Sequence, residues 1–193
     1  MMEKIYGKKL ATRQITMIGM LFAVTIVLGA TRLGFIPIPP FNTTIMHIPV
    51  IIGAIVGGPI VGGFIGLLFG VFSIIQAINT PTPASFIFFN PVVSVLPRIL
   101  IGVVAYYVYV LFKRKSEKVG AFLGIVAGSF TNTIGVLGMI YIFYMKAYAN
   151  AFHISYNAAV KTLLLLVLNG FISAGIALVV SLPIIMIAKK LKI

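Results

Sequence analysis

Acidic residues are nearly missing from this chain. Its 193 residues include 15 Lys and Arg but only two acids, Glu3 and Glu117, each beside a cluster of basic residues. No carboxylate therefore falls inside a long apolar stretch. This argues against a carrier driven by protons or sodium, because such carriers normally use intramembrane Asp or Glu as relays or ion ligands. It also argues against metal-assisted chemistry on phosphates, which usually needs carboxylates to hold the cation.

Cysteine is absent, which removes disulfides, thiolate metal sites and cysteine nucleophiles. The sequence contains no His-x3-His, no Gly-x-Ser-x-Gly and no Walker-type loop, so the usual short catalytic motifs are missing too. General acid–base work needs titratable groups near one another, and only His47 and His153 are candidates. We therefore predict no catalytic residues, no metal site and no cofactor bound by the chain itself.

Apolar residues dominate what is present. They make up 61% of the chain and charged residues only 9%, a balance typical of polytopic membrane proteins. A span needs about 20 apolar residues, and we predict six: residues 12–30, 45–57, 59–78, 92–112, 119–145 and 162–188. The expected fold is an all-α integral membrane protein, a compact bundle of six transmembrane helices that forms one domain over residues 1–193.

Most of the basic residues lie at the ends of the predicted spans. They cluster at the N-terminus, in the loop at residues 113–118 and at the C-terminus. This is the positive-inside pattern, so both termini and that loop are predicted to be cytoplasmic. The connections at residues 31–44, 79–91 and 146–161 then lie outside. No basic stripe is interleaved with exposed aromatics, as a base-stacking surface requires, so nucleic-acid binding is not expected.

Arg98 is the exception to this charge pattern, because it lies inside the predicted span 92–112 without any acidic partner. A charge at that depth costs about 2.5–3.5 kcal/mol on insertion scales. Two interpretations remain open. The side chain extends to the outer surface, or it binds an anionic ligand in the bundle. The positive end of the helix dipole makes an unpaired cation at this end of a helix less favourable.

Other polar residues concentrate near the outer ends of the predicted spans, among aromatic side chains. Few polar groups in apolar surroundings are the usual composition of a small-molecule site. The predicted substrate-binding residues are Arg98, Asn42, Thr43, His47, Asn79, Ser85, Phe86, Asn90, Asn132, Tyr141 and Asn169. Alternatives stay open: Asn132 and Asn169 bond between helices, Ser85 and Asn90 cap turns around prolines, and His47 is structural.

Two predicted spans carry glycines four residues apart. They are Gly62, Gly66 and Gly70 in one span, and Gly120, Gly124 and Gly128 in another. Such glycines share a helix face and let two backbones approach closely. We predict that both faces pack inside the bundle rather than form an oligomer interface.

At these residues the sequence resembles the substrate-binding S components of energy-coupling factor (ECF) transporters, which are bacterial vitamin importers. The resemblance rests on residues 44–55 (TIMHIPVIIGAI) followed by Gly58-Pro59, and on 66–73 (GLLFGVFS), 85–88 (SFIF) and 97–102 (PRILIG). The last three segments are most similar to the pantothenate-specific branch. The resemblance covers nearly the whole chain.

The resemblance implies a subunit of the bacterial plasma membrane that binds a vitamin from outside and passes it inward with partner proteins. Those partners would be a transmembrane coupling subunit and two ATPases, so ATP is used by the partners and not by this chain. In the family a small-x3-small pair on the first span docks on the coupling subunit, and the matching pair here is Gly19 and Ala23. An anionic vitamin would match Arg98, which favours pantothenate.

Two alternatives are weighed against pantothenate binding. Within the family, a riboflavin-binding S component would stack the flavin ring on Phe86, Phe88 or Tyr141. From another class, a small membrane enzyme would act on an isoprenoid or a lipid head group, although the scarcity of acidic residues counts against it.

Overall fold

The computed structural model describes residues 11–31, 34–38 and 41–191, with the side chains of 35–38 and 41–43 left out. Within these ranges the chain forms a helical bundle with one short hairpin. The elements are α1 (Thr12–Ala30), β1 (Phe35–Ile38), β2 (Phe41–Thr44), α2 (Ile48–Gly57), α3 (Pro59–Asn79), α4 (Ser85–Phe88), α5 (Pro91–Phe112), α6 (Glu117–Met139), a π-helical segment (Ile140–Tyr144), α7 (Met145–Ala151) and α8 (Tyr156–Lys190).

Five helical stretches of the described chain are long and apolar enough to cross a membrane. They are Thr12–Ala30, Pro59–Asn79, Pro91–Phe112, Glu117–Ala151 and Tyr156–Lys190. The first agrees with its predicted span residue for residue. The remaining predicted span, residues 45–57, corresponds to α2, which has only 10 helical residues. At 1.5 Å per residue α2 is about 15 Å long, roughly half the hydrocarbon thickness of a bilayer.

α2 lies in the middle of the bundle, where its apolar residues are buried almost completely. Val50, Ile51 and Ala54 are fully buried and pack with Ile65 of α3 and Ile101 of α5 in the main hydrophobic cluster. Pro49 is tolerated because it falls in the first turn, where the helix leaves backbone N–H groups unbonded in any case. α2 is therefore a core helix surrounded by longer ones.

The predicted connections at residues 31–44 and 146–161 both contain secondary structure. In the first, β1 and β2 pair as an antiparallel hairpin in which Phe35 lies opposite Thr44. The second prediction is wrong: α7 continues to Ala151 and α8 begins at Tyr156. Ser155 caps α8 by accepting a hydrogen bond from the Ala158 N–H at 3.3 Å. Hydropathy did not predict the helical residues up to Ala151 or those from Tyr156 onward, because a helix extends beyond its apolar stretch when a cap and packing stabilise its end.

Helix α5 lies between α3 and α6 and contacts both along most of its length. On one side Gly62 faces Gly102, and Gly66 faces the Arg98 backbone so closely that a Cβ there would overlap the Arg98 carbonyl oxygen. On the other side, a Cβ at Gly124 would lie 2.8 Å from the Ala105 carbonyl oxygen. The predicted internal packing of both glycine faces is confirmed.

The end of the bundle where α5 finishes and α6 begins holds the one acid among the described residues. Tyr109 Oη donates a hydrogen bond to Glu117 Oε1 at 3.2 Å. The Nζ atoms of Lys113 and Lys189 lie 5.6 Å and 5.2 Å from the centre of the Tyr109 ring. Glu117 is thus held within the basic cluster at the end of α5 opposite its start at Pro91.

Candidate ligand-binding site

A cavity of about 860 Å³ occupies the half of the bundle in which α3 ends and α5 begins. It lies between α3, α5, α6 and α8, and the connection from Asn79 to Ser85, the end of α1 and Thr44 of β2 complete its wall. Apolar side chains form most of the lining, and a few amides, hydroxyls and one guanidinium lie among them. A largely apolar cavity with a few converging polar groups is the usual form of a small-molecule site.

Arg98 lies in the wall of this cavity and is only 7% exposed. Its Nη1 donates to the Val93 carbonyl oxygen at 3.0 Å. The guanidinium carbon lies 5.6 Å from the centre of the Phe69 ring and 5.7 Å from that of Phe88. The side chain is therefore folded into the protein between two aromatic rings. This geometry does not fit the interpretation in which Arg98 extends to the outer surface.

The charge of Arg98 has no carboxylate partner in the part of the chain that the structure describes. The only acid there is Glu117, which lies at the far end of α5 and bonds to Tyr109. Nε of Arg98 is buried and has no hydrogen-bond partner among the described residues. A buried cation is normally paired, because desolvation is expensive. The cavity beside Arg98 is therefore suited to an anionic group.

Asn132 of α6 is the second buried polar residue of the cavity wall, also 7% exposed. Its Oδ1 lacks a hydrogen-bond partner among the described residues. Close packing against α5 fixes its position: a Cβ on Gly128 would lie 3.1 Å from the Ala105 side chain, and one on Gly135 would lie 3.1 Å from Pro97. Asn132 therefore lies beside the stretch of α5 that carries Arg98.

The structure places the other predicted site residues in three groups. Five of the eleven predicted residues line the cavity together: Arg98, Asn79, Ser85, Asn132 and Asn169. Four lie outside its wall and are described below: His47, Phe86, Asn90 and Tyr141. The side chains of Asn42 and Thr43 lie outside those that the structure describes.

His47 and Asn90 have structural contacts instead. His47 is fully buried at the start of α2, with Nε2 3.1 Å from Ser129 Oγ. Asn90 caps α5, since its Oδ1 accepts from the Val92 N–H at 2.9 Å while its Nδ2 donates to Tyr144 Oη at 2.9 Å. These contacts match the structural roles that the sequence left open for both residues.

Phe86 and Tyr141 face away from the cavity wall. The Phe86 ring packs edge-on against Tyr144 with ring centres 6.1 Å apart. Tyr141 lies on the π-helical segment and is 52% exposed. Ser85 both lines the cavity and closes a turn, because its Oγ accepts from the Thr82 N–H at 2.7 Å.

Sequence reasoning missed three cavity-lining residues of α3, namely Phe69, Phe72 and Ser73. They continue the row formed by Gln76 and by Thr80, which directly follows the helix. Their spacing of three or four residues puts them on one side of a helix, and this spacing was the available signal. Gln76 also links two helices, because its Nε2 donates to the Gly29 carbonyl oxygen of α1 at 3.2 Å.

Taken together, the fold and the cavity define a membrane protein with an internal cavity and a buried cation in its wall. Comparison with known proteins makes the class specific. The chain belongs to the family described as "ECF transporter, substrate-specific component", whose model matches residues 13–185. It is a multi-pass protein of the bacterial plasma membrane and a component of a vitamin transporter.

A curated relative adds a more particular similarity. The chain is 34% identical over 153 residues to "Pantothenic acid transporter PanT" of Lactococcus lactis subsp. cremoris (strain MG1363). The match covers 71% of this chain and 76% of the relative. The resemblance to the ECF S components and their pantothenate branch is thereby confirmed.

Proposed function

We propose that this chain is the pantothenate-binding subunit of an ECF importer. The observation that carries the proposal is Arg98, a buried cation in the cavity wall without a carboxylate partner among the described residues. Pantothenate carries one carboxylate, which supplies the missing charge. Its amide and hydroxyls suit the neutral polar groups of the same cavity, including Asn132 and Asn169. The name of the Lactococcus lactis relative supports the same substrate.

Riboflavin is the second candidate, and the cavity gives it one favourable feature. Phe69, Phe72 and Phe88 all line the wall and offer rings for stacking. Phe86 and Tyr141, two of the rings first considered for this role, lie outside that wall. Riboflavin is neutral, however, so it would leave the charge of Arg98 uncompensated. The electrostatics of the cavity therefore favour pantothenate.

Transport, in this proposal, needs partners because the chain supplies binding without an energy source. A coupling subunit and two ATPases hydrolyse ATP and return the loaded subunit through the bilayer, and this chain binds no cofactor and catalyses no reaction. Docking uses Gly19 and Ala23, which are exposed on α1, the least buried of the five long helices. Small residues on an exposed helix face allow another helix to approach closely.

The proposed topology has both termini in the cytoplasm and six helices, with α2 as the short member. The basic residues that flank α5 and α6, Lys113 to Lys118, then lie inside, as the positive-inside rule requires. The cavity opens on the opposite half of the bundle, toward the outside, where the substrate is present.

Equilibrium binding to the purified protein tests the substrate. Isothermal titration calorimetry in detergent should show tight binding of pantothenate and much weaker binding of pantothenyl alcohol, in which an uncharged hydroxyl replaces the carboxylate. Riboflavin should not bind detectably. Tight riboflavin binding without pantothenate binding would overturn the proposal, as would equal affinity for the acid and the alcohol.

A further inference from the structure

Arg98 and Asn132 need different hydrogen-bonding groups on the ligand. The guanidinium of Arg98 has only donors, whereas the free Oδ1 of Asn132 is an acceptor. A carboxylate bound to Arg98 has no hydrogen to donate to Asn132. The structure therefore requires a second ligand group, an N–H or an O–H, at some distance from the carboxylate.

The packing of α5 against α6 indicates how far apart these two groups lie. The helices run in opposite directions, with Gly128 beside Ala105 and Gly135 beside Pro97, so Asn132 lies opposite residues 100–101 of α5. Side chains lean toward the N-terminus of their own helix. The Arg98 head leans outward and bonds to Val93, while Asn132 leans inward. At 1.5 Å per residue, Asn132 reaches the cavity roughly 7 Å deeper than the guanidinium.

The inner side of Asn132 is closed by another polar contact. Ser129 lies one helical turn deeper on α6, and its Oγ is 3.1 Å from Nε2 of the buried His47. Both groups are therefore already engaged with each other below Asn132. Nearby in the wall, Ser173 Oγ donates to the Thr44 carbonyl oxygen at 2.9 Å. Ser129 and His47 thus lie outside the cavity wall, and Asn132 is the buried residue of this part of α6 that reaches the cavity with an acceptor unpaired among the described residues.

We infer that Asn132 accepts a hydrogen bond from a hydroxyl at the end of the ligand remote from its carboxylate. The ligand then lies with its hydroxylated end deep in the bundle and its carboxylate nearer the outer surface, at Arg98. This inference rests on the proposed function. In pantothenate the amide N–H lies close to the carboxylate, whereas the hydroxyls lie beyond the amide and reach the required depth. Asn132 is accordingly the residue that orients the substrate and selects for its hydroxyl groups.

The test compares two variants with three ligands by calorimetry in detergent. Asn132→Leu removes the acceptor at similar volume. The matched control, Thr131→Val, changes the preceding residue of α6, which lies outside the cavity wall and whose hydroxyl already donates to the Ala127 carbonyl oxygen at 2.7 Å. The ligands are pantothenate, its dideoxy analogue without the two hydroxyls, and pantothenyl alcohol without the carboxylate.

Asn132→Leu should weaken pantothenate binding about tenfold, the usual effect of losing one neutral hydrogen bond. It should weaken pantothenyl alcohol, relative to wild type, by a similar factor, because that ligand keeps the hydroxyls. Affinity for the dideoxy analogue should change by less than about twofold, within the ordinary scatter of such comparisons. Thr131→Val should leave all three affinities near wild type.

Other outcomes would overturn the inference. Equal losses for pantothenate and the dideoxy analogue would show that Asn132 does not contact the hydroxyls, and no loss for pantothenate would show that it does not contact the ligand. The ratio of the two affinities stays informative if the variant is partly destabilised, because both ligands meet the same protein. Failure of wild-type protein to bind pantothenate would instead overturn the proposed function, and this inference with it.

Discussion

Arg98 has opposite effects on the empty and the loaded protein. Placing its charge in the bundle costs about 2.5–3.5 kcal/mol on insertion scales. The bond to Val93 and the two aromatic rings at 5.6 Å and 5.7 Å offset part of that cost. Each cation–π contact contributes about 0.5–2 kcal/mol. An anionic ligand supplies the remaining compensation, so the residue that stabilises the complex adds nothing to the stability of the empty protein.

Arg98→Met should therefore separate binding from stability. We expect pantothenate affinity to fall at least about 100-fold, because loss of one partner of a buried ion pair costs about 3–5 kcal/mol. The unfolding midpoint of the ligand-free variant in detergent should not fall. Arg114→Met, which removes an exposed cation from the inner loop, is the control and should bind normally. Unchanged affinity in Arg98→Met would show that Arg98 does not contact the ligand.

The position of Arg98 depends on how helix α5 meets its neighbours. Gly66 of α3 touches the backbone at Arg98, and Gly135 of α6 lies against Pro97. Because these contacts involve glycines, α5 is held by backbone atoms that cannot change rotamer. Close contact of this kind replaces the hydrophobic drive that is missing between helices in lipid. The same contacts that hold the bundle together also fix where its cation points.

Gly66→Ala should displace α5 and so reduce both stability and binding. A Cβ at Gly66 would overlap the Arg98 carbonyl oxygen, and overpacking of this kind costs about 1–3 kcal/mol. Gly63→Ala on the same helix is the matched control, because a Cβ there meets nothing within 4 Å. Thermal unfolding in detergent should show a lower midpoint for Gly66→Ala alone. Equal midpoints for the two variants would contradict the close packing of α3 and α5.

The whole molecule has two unlike ends. Basic side chains cluster at one end around Tyr109 and Glu117, whereas the opposite end holds the cavity, the hairpin and the capped turns. Under the topology that we propose, the positive-inside rule orients the basic end toward the cytoplasm, and the cavity then faces the side from which substrate arrives. The basic residues that set the orientation and the cavity that is proposed to bind substrate therefore lie in separate halves of the bundle.

Because the natural chain lacks cysteine, single cysteines can test this orientation without background. Lys115→Cys and Lys146→Cys replace two exposed lysines at opposite ends of the bundle. A membrane-impermeant maleimide should label Lys146→Cys in intact cells and Lys115→Cys only after the membrane is opened. The reverse pattern would show that the proposed topology is inverted.

Docking on the coupling subunit also involves the whole molecule. A Cβ at Gly19 meets no atom within 4 Å, so Gly19→Leu should fold and bind pantothenate normally. The larger side chain should keep a partner helix from approaching α1, and we expect pantothenate uptake by the assembled transporter to be lost. Uptake at the wild-type rate would exclude this face of α1 as the docking surface.

Much of this architecture could be predicted from the sequence, because membrane helices carry strong local signals. The bounds of α1, the glycine faces and the position of Arg98 inside a span all follow from apolar length and residue spacing. The predicted span 45–57 was already shorter than the others, but the burial of α2 in the core did not follow, because a buried helix is as apolar as one that faces lipid. The contacts of His47 and Asn90 were missed for another reason: their partners Ser129 and Tyr144 are distant in sequence.

The backbone contacts at Gly62, Gly66 and Gly102 also determine how this sequence can diverge. Val179 is 76% exposed on the surface of the bundle. Lipid around such a position accepts any apolar side chain of similar size. The three glycines cannot gain even one methyl group, because a Cβ at each would come within 3.0 Å of neighbouring atoms. We therefore expect exposed Leu, Ile, Val and Phe to tolerate exchange for one another, whereas these three glycines should tolerate no larger residue. Tolerance to substitution in this bundle should follow the distance between backbones more than hydrophobicity.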